Sequence, residues 1–369
     1  MEEKLITLVV LPYSKAHIFK VLLEEKGIDC ELEYVNLIQG DTTATVRFKI
    51  LEKDIQKAVH ELELFLGTKT ETEPESKADL PKQILVPIDF SEASLKAAKT
   101  AVDIAAHVKS EVLFMHSFIN PIIHSIPYSD IYAFDSSALF KIEHAEENAN
   151  KDFKKFIKKL NKEVGEEVWN SIQTDYIIKS GYAEEDILAY ARKNHPRLIV
   201  VGSGGDNYPQ GIVGSVTADI MYNANVPVLV IPKDTPDKKV TEINNVMYAT
   251  NFDEKDFVAI DKLLNLLEPF DIKLTCAHVG EPRRNSWDLA RLEGMKELLQ
   301  KKYEKKNFTC MLLEGNEVLE TIESYIKNAG IDMLSLTTHK RNMIARLFNP
   351  SFARKMVFHS NTPLLVFHA

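Results

Sequence analysis

From Gln83 onward the chain writes one pattern twice, and this repetition limits its fold more than any single motif does. Gln83–Ser91, QILVPIDFS, is echoed by Asn245–Asp253, NVMYATNFD. Glu111–His116, EVLFMH, returns as Lys273–His278, KLTCAH. Lys179-Ser180-Gly181 returns as Leu313-Glu314-Gly315, Leu198–Gly202 as Met333–Thr337, and Asn225–Ile231 as Asn361–Phe367. In each copy short apolar runs alternate with segments of helical period, in the order βαβαβαβαβ. Strands joined by helical crossovers form a parallel sheet covered on both faces. The expectation is therefore two tandem α/β domains with five-stranded parallel sheets, 81–235 and 240–369. Ligands of such sheets bind beyond the carboxyl ends of the strands, where the strand order reverses.

The chain of 369 residues exceeds one ordinary domain, and its first 67 residues stand apart from the repeat. Leu5–Leu11 reads as a strand and Ser14 can cap a helix that Gly27 ends. Ile28–Leu37 and Thr43–Ile50 read as strands about a Gln39-Gly40-Asp41 turn, and Glu52–Leu66 is amphipathic. This βαββα order predicts a small α+β domain over 1–67, and it resembles the small prokaryotic signal-transducing domains. Residues 68–80, including TKTETEPESKAD, read as a solvated linker.

A net charge of −9 and a sequence pI near 5.7 argue against a nucleic-acid partner, and no basic cluster with interleaved aromatics counters this. Cys30, Cys276 and Cys310 are scattered without CxxC spacing. They predict neither a disulfide framework nor a zinc site, but small core residues in a reducing compartment. The N-terminal stretch carries acids where a signal peptide needs bases, and no apolar run is long enough for a membrane span. No membrane association and a cytoplasmic location are expected.

Chemistry concentrates in the first copy. Leu198–Val201 is an apolar strand, followed by a loop bearing Gly202, Gly204, Gly205, Gly211 and Gly214. Ser215 can cap a helix over Val216–Tyr222. Strand, glycine loop and helix N-terminus together suit a phosphate, because backbone N–H groups point outward and the helix dipole favours an anion. The pattern lacks the Gly-Lys-Ser/Thr of a P-loop and is not a dinucleotide fingerprint. Asp89 and His116-Ser117 also fall at carboxyl ends of strands, so three segments converge on one edge. The second copy has Asn251 for Asp89 and Thr337 for Gly202. Its loop, Thr337–Ser351, contains no glycine but carries His339, Lys340, Arg341 and Arg346.

Taken together, ILVPIDFSE at Ile84–Glu92, LFMH at Leu113–His116, GSGGDNYPQGIVGSVTADIM at Gly202–Met221 and VPVLVIP at Val226–Pro232 resemble the universal stress protein family in its tandem form. The resemblance covers Pro81–Ala369 and implies Rossmann-like, adenine nucleotide alpha hydrolase-like domains. It further implies that the first copy binds ATP or ADP, with or without Mg. Asp89 would then meet the ribose hydroxyls, and Pro87, Ile88 and the backbone near Ser117 would frame the adenine. Gly202 would let the ribose lie close. Gly205, Gly214, Ser215 and the Val216 amide would hold phosphates. The spacer from Asp206 to Val213 is one residue shorter than the family's.

In this family the last strand commonly pairs with its equivalent in a partner subunit. Here Val226–Ile231 and Pro363–Phe367 can pair within one chain as a pseudo-dimer, and a homodimer is a further possibility. The function expected is non-catalytic nucleotide binding in stress response or signalling, with the second copy degenerate. A nucleotide-free interaction module and a slow ATPase are the alternatives. No general base, Walker lysine or carboxylate pair for Mg²⁺ marks a catalytic site.

Overall fold

The computed structural model describes residues 5–35, 45–66, 83–118, 136–204, 213–251, 256–280, 285–303, 307–338 and 361–368. They fall into two compact units. One holds the N-terminal elements together with most of the second copy. The other holds the first copy and the final strand of the chain. Residues 119–135, the linker, the Gln39-Gly40-Asp41 turn, and the loops at 205–212 and 339–360 lie outside the described residues.

The N-terminal elements are β1 (Leu5–Pro12), α1 (Tyr13–Glu25), β2 (Cys30–Val35), β3 (Thr45–Leu51) and α2 (Ile55–Leu66). This is the βαββα order, with an antiparallel sheet ordered β1-β3-β2. Alternation along β3 buries Val46, Phe48 and Ile50 on one face. Phe19 of α1 packs edge-on to Phe48 at 5.2 Å and against Phe65 of α2 at 4.9 Å.

The first copy comprises β4 (Gln83–Pro87), α3 (Glu92–Val108), β5 (Glu111–Phe118), α4 (Ser136–Val164), α5 (Glu166–Asn170), β6 (Thr174–Ser180), α6 (Ala183–Asn194), β7 (Leu198–Gly202), α7 (Ser215–Asn223) and β8 (Val228–Ile231). Its strands run parallel in the order β8-β7-β4-β5-β6. The chain moves from β4 outward through β5 and β6, then returns to β4's other side at β7. The topological switch therefore lies between the carboxyl ends of β4 and β7. Ile84, Leu85 and Val86 and the whole run Leu198–Val201 are buried, as strands covered on both faces must be.

Helix α3 shows why these residues take this form. Ser91 is extended (φ −71°, ψ 164°) and its side chain accepts from the Ser94 amide at 3.2 Å, capping the helix. Ala93, Ala97, Ala98, Ala101 and Ala105 make a buried face of methyl groups. That face lets the helix axis come close to the sheet.

The second copy supplies β9 (Asn245–Ala249), α8 (Asp256–Leu266), β10 (Lys273–Gly280), α9 (Asn285–Lys302), β11 (Asn307–Glu314), α10 (Val318–Ala329) and β12 (Met333–Thr338). These strands are parallel in the order β11-β10-β9-β12. Within this unit α1 packs beside α8 and α9, and Lys262 Nζ pairs with Glu25 Oε1 at 3.2 Å. The last strand, β13 (Leu364–His368), pairs antiparallel with β8: Leu364 opposite Val230, Leu365 opposite Leu229, Val366 opposite Val228. The intrachain pairing expected of those two apolar strands is present, and it covers an edge that would otherwise expose unpaired backbone. Among the described residues no helix is long and apolar enough to cross a membrane.

Candidate functional site

The carboxyl edge of the first copy is assembled by three strand exits. At the end of β4, the Ile88 amide donates to Met115 O at 2.9 Å, and the Ile88 carbonyl accepts from His116 Nδ1 at 2.9 Å. Both backbone groups of Ile88 are thus committed to β5. Pro87 and Ile88 are buried. Asp89, next in the chain, is exposed. Its Oδ1 accepts from the Ser91 amide at 3.0 Å and from the Ser91 hydroxyl at 2.5 Å. Asp89 therefore steadies the cap of α3, and a carboxylate has acceptor capacity beyond these two bonds.

His116 reads as a neutral imidazole. Burial is the largest influence and draws its pKa below the usual value, against the Ile88 carbonyl and the charges of Asp89 and Asp152, which raise it. A carbonyl only accepts, so Nδ1 carries the proton and Nε2 is left as an acceptor. Phe90, held at φ 65°, lays its ring 4.3 Å from the imidazole. Ser117 follows on β5, and its hydroxyl donates to Asp186 Oδ2 in the first turn of α6 at 2.9 Å. Asp186 had no signal in the sequence, because its role arises only where β5 and β6 lie side by side.

The third exit is β7. Gly202 ends it, and packing within the fold requires a glycine there. A Cβ there would stand 2.7 Å from the carbonyl carbon and oxygen of Ala93 and 3.0 Å from the Ser94 amide. The glycine admits the backbone of α3 against the strand. Beyond it, the Gly214 amide donates to Ser203 O at 2.8 Å and draws together the two ends of the glycine loop. Gly205 lies outside the described residues.

One expectation, the cap of the helix after the glycine loop, is corrected here. The N-cap of α7 is Gly214 (φ −60°, ψ 149°), and Ser215 is the first helical residue. The Gly214 amide donates to the Ser203 carbonyl. The amides of Ser215, Val216 and Thr217 precede the first intrahelical bond, from Ala218 N to Gly214 O at 3.0 Å. They have no acceptor within the helix. Ser215 is exposed, while Thr217 bonds back to Gly202 O at 2.8 Å and ties α7 to β7.

In the second copy the same positions carry another chemistry. His278 repeats the strand-exit bond, Nδ1 to Thr250 O at 2.8 Å. Thr337, Tyr248 and Asp256 stand where Gly202, Val86 and Ser94 stand in the first copy. Tyr248 Oη donates to Asp256 Oδ1 at 2.8 Å and lies 2.5 Å from Thr337 Oγ1. Asp256 Oδ2 accepts from Thr250 Oγ1 at 2.6 Å and from the Asn251 amide at 3.0 Å. All four of these side chains are buried. Burial and the neighbouring Asp256 push the Tyr248 hydroxyl well above its ordinary pKa. The basic residues of this copy's loop, His339, Lys340, Arg341 and Arg346, lie outside the described residues.

The architecture is a duplicated, doubly wound α/β fold with a loop-bearing edge at a switch point. The Universal stress protein family model matches residues 81–232 and 242–368, and the chain belongs to that family. A universal stress protein of Methanocaldococcus jannaschii is 32% identical over 157 residues, which is 42% of this chain and 84% of that protein. The crystal structure of a universal stress protein from Archaeoglobus fulgidus matches at a TM-score of 0.58 and 17% identity. That match covers 78% of this chain and 98% of that one, a likeness of fold.

Proposed function

We propose that the first copy binds an adenine nucleotide, ATP or ADP, without turning it over, and that the second copy serves as its structural counterpart. The observation that carries this reading is the N-terminus of α7. Three amides without intrahelical acceptors open beyond β7, at the switch point, on the same edge as the exposed Asp89 carboxylate. An anion suits the amides and a diol suits the carboxylate. On this reading Asp89 faces the ribose, Ile88 and the Ser117 backbone border the base, and Ser215 and Val216 take phosphate. Domains over 81–235 and 240–369, with 1–67 as a separate module, fit the same reading.

A second reading is a nucleotide-free interaction module. Three commitments favour it: the Gly214 amide to Ser203, the Ser117 hydroxyl to Asp186, and Gly202 to the backbone of α3.

Thermal unfolding with and without ATP, alongside a phosphate-release assay, separates the readings. A ligand at one hundred times its Kd adds about 2.7 kcal/mol to stability. The expected result is a rise of several degrees in Tm with no phosphate released. That rise should be lost in Asp89→Ala and retained in Asn251→Ala. Absence of any shift supports the interaction module, and phosphate release would make the protein an ATPase.

A further inference from the structure

Cys276 and Cys310 are far apart in sequence, yet the parallel register of β10 and β11 sets them directly opposite one another. The row continues through Tyr248 on β9 and Ser335 on β12. The corresponding row of the first copy is Val86, Phe114 and Tyr176, with no sulfur in it. Opposed residues of neighbouring strands share a face, and the strands lie about 4.8 Å apart. A disulfide spans Cα separations of roughly 4.4–6.8 Å. Both residues are thiols, and the two side chains are in hydrogen-bonding contact.

The pair is asymmetric. Cys276 is fully buried, whereas Cys310 is partly exposed on β11, at the edge of this unit's sheet. The hydrogen bond from Cys276 lowers the Cys310 pKa. Burial opposes this, the Lys296 ammonium on α9 assists, and Glu293 works against it. The same bond, reinforced by burial, pushes the Cys276 thiol well up. An accessible thiol that favours its thiolate is the attacking member of a dithiol, and a buried protonated thiol beside it is the resolving member.

We propose that Cys276 and Cys310 form a redox-active dithiol that reduces a hydroperoxide and closes into a disulfide between β10 and β11. With hydrogen peroxide, the Cys310 thiolate sulfur attacks one oxygen. The O–O bond breaks, and the departing hydroxide takes a proton to become water, leaving a sulfenic acid on Cys310. The Cys276 sulfur then attacks the Cys310 sulfur as its proton leaves. The S–O bond breaks, and the second hydroxide departs as water. Two electrons pass from the thiols to the peroxide, giving one disulfide and two waters. The product ties the edge strand covalently to the interior of the sheet.

The test uses the full chain, exposed to hydrogen peroxide, unfolded in urea, alkylated with iodoacetamide and digested with trypsin for mass spectrometry. Cys276 falls in the peptide Leu274–Arg283 and Cys310 in Asn307–Lys327. The expected product joins these two peptides, lighter by two hydrogens, with one peroxide consumed per link and both peptides released by dithiothreitol. Cys30, opposite Ile50 in the N-terminal sheet, stays alkylated. In Cys276→Ala the reaction halts at a sulfenic acid on Cys310, trapped by a 1,3-dione reagent. In Cys310→Ser the rate of peroxide consumption falls by about tenfold or more. The proposal is overturned if wild-type Cys276 remains alkylatable while Cys310 is carried to the sulfinic acid. It is equally overturned if Cys30 oxidises as fast as Cys310, or if the link joins two chains.

Discussion

The two copies keep the same histidine at the same strand exit and differ in what lies beneath it. His116 and His278 each bind the carbonyl that ends the first strand, at 2.9 and 2.8 Å. Under that shared device the first copy places Val86, Ser94 and Gly202, while the second places Tyr248, Asp256 and Thr337. In the first, α3 closes on the sheet so tightly that a single methyl at Gly202 would strike the Ala93 backbone. In the second, a threonine occupies that point and its hydroxyl joins a buried polar network. Duplication has kept the scaffold and released one edge from whatever constraint held the other to small side chains. The lesson is that loss of the glycine loop goes together with a rebuilt floor, a change that loop sequence alone does not reveal.

Exchanging residues between the copies should break this contrast most visibly at Gly202. Gly202→Thr forces the helix and strand apart and is expected to remove about 3 kcal/mol from the first copy. A fall in the urea midpoint measures it, and an unchanged midpoint would mean that α3 is not seated as described. Next in size is Asp256→Ala, which strips acceptors from the Tyr248 and Thr250 hydroxyls and the Asn251 amide. About 2–3 kcal/mol should be lost. The matching change Ser94→Ala removes one buried bond, to Ser91 O at 3.0 Å, and should cost about 1 kcal/mol. Equal losses from the two changes would erase the distinction between the floors. Tyr248→Phe tests the same network more gently, with an expected loss of about 1 kcal/mol by the same denaturation measurement.

The smallest effect concerns pH. The folded pKa of His116 lies below its unfolded value, so the unfolded chain takes up a proton first as pH falls. Stability carried by the neutral imidazole is full above the unfolded pKa. It declines as pH drops through that value and levels off below the folded one. Tm followed from pH 7.5 to 5 should show this decline, and His116→Gln should flatten it. An unaltered profile in the variant would assign the decline to other groups.

Much of this architecture was written in local pattern. Apolar runs of four to eight residues, spaced by helical periods and stated twice, sufficed for strand and helix types along the repeat. The small βαββα module was visible in the same way. A boundary drifted at a cap: Gly214, not Ser215, caps α7. The edge residues Asp89, His116, Ser117 and Gly202 were also legible, because they end strands. Their bonding was not, since Ser117 meets Asp186 and Gly202 meets Ala93 only after distant segments are brought together.

Sequence by itself therefore determined what each segment is: its period, its ends, its duplication and its family. Tertiary structure alone decided which segments touch. Strand order put β7 beside β4 and opened the switch point, and register put Cys276 opposite Cys310. Side-chain periodicity is a property of neighbours along the chain, which one sequence displays directly. Register and helix seating are set by how separate elements share buried surface, and that arrangement exists only once the core has closed.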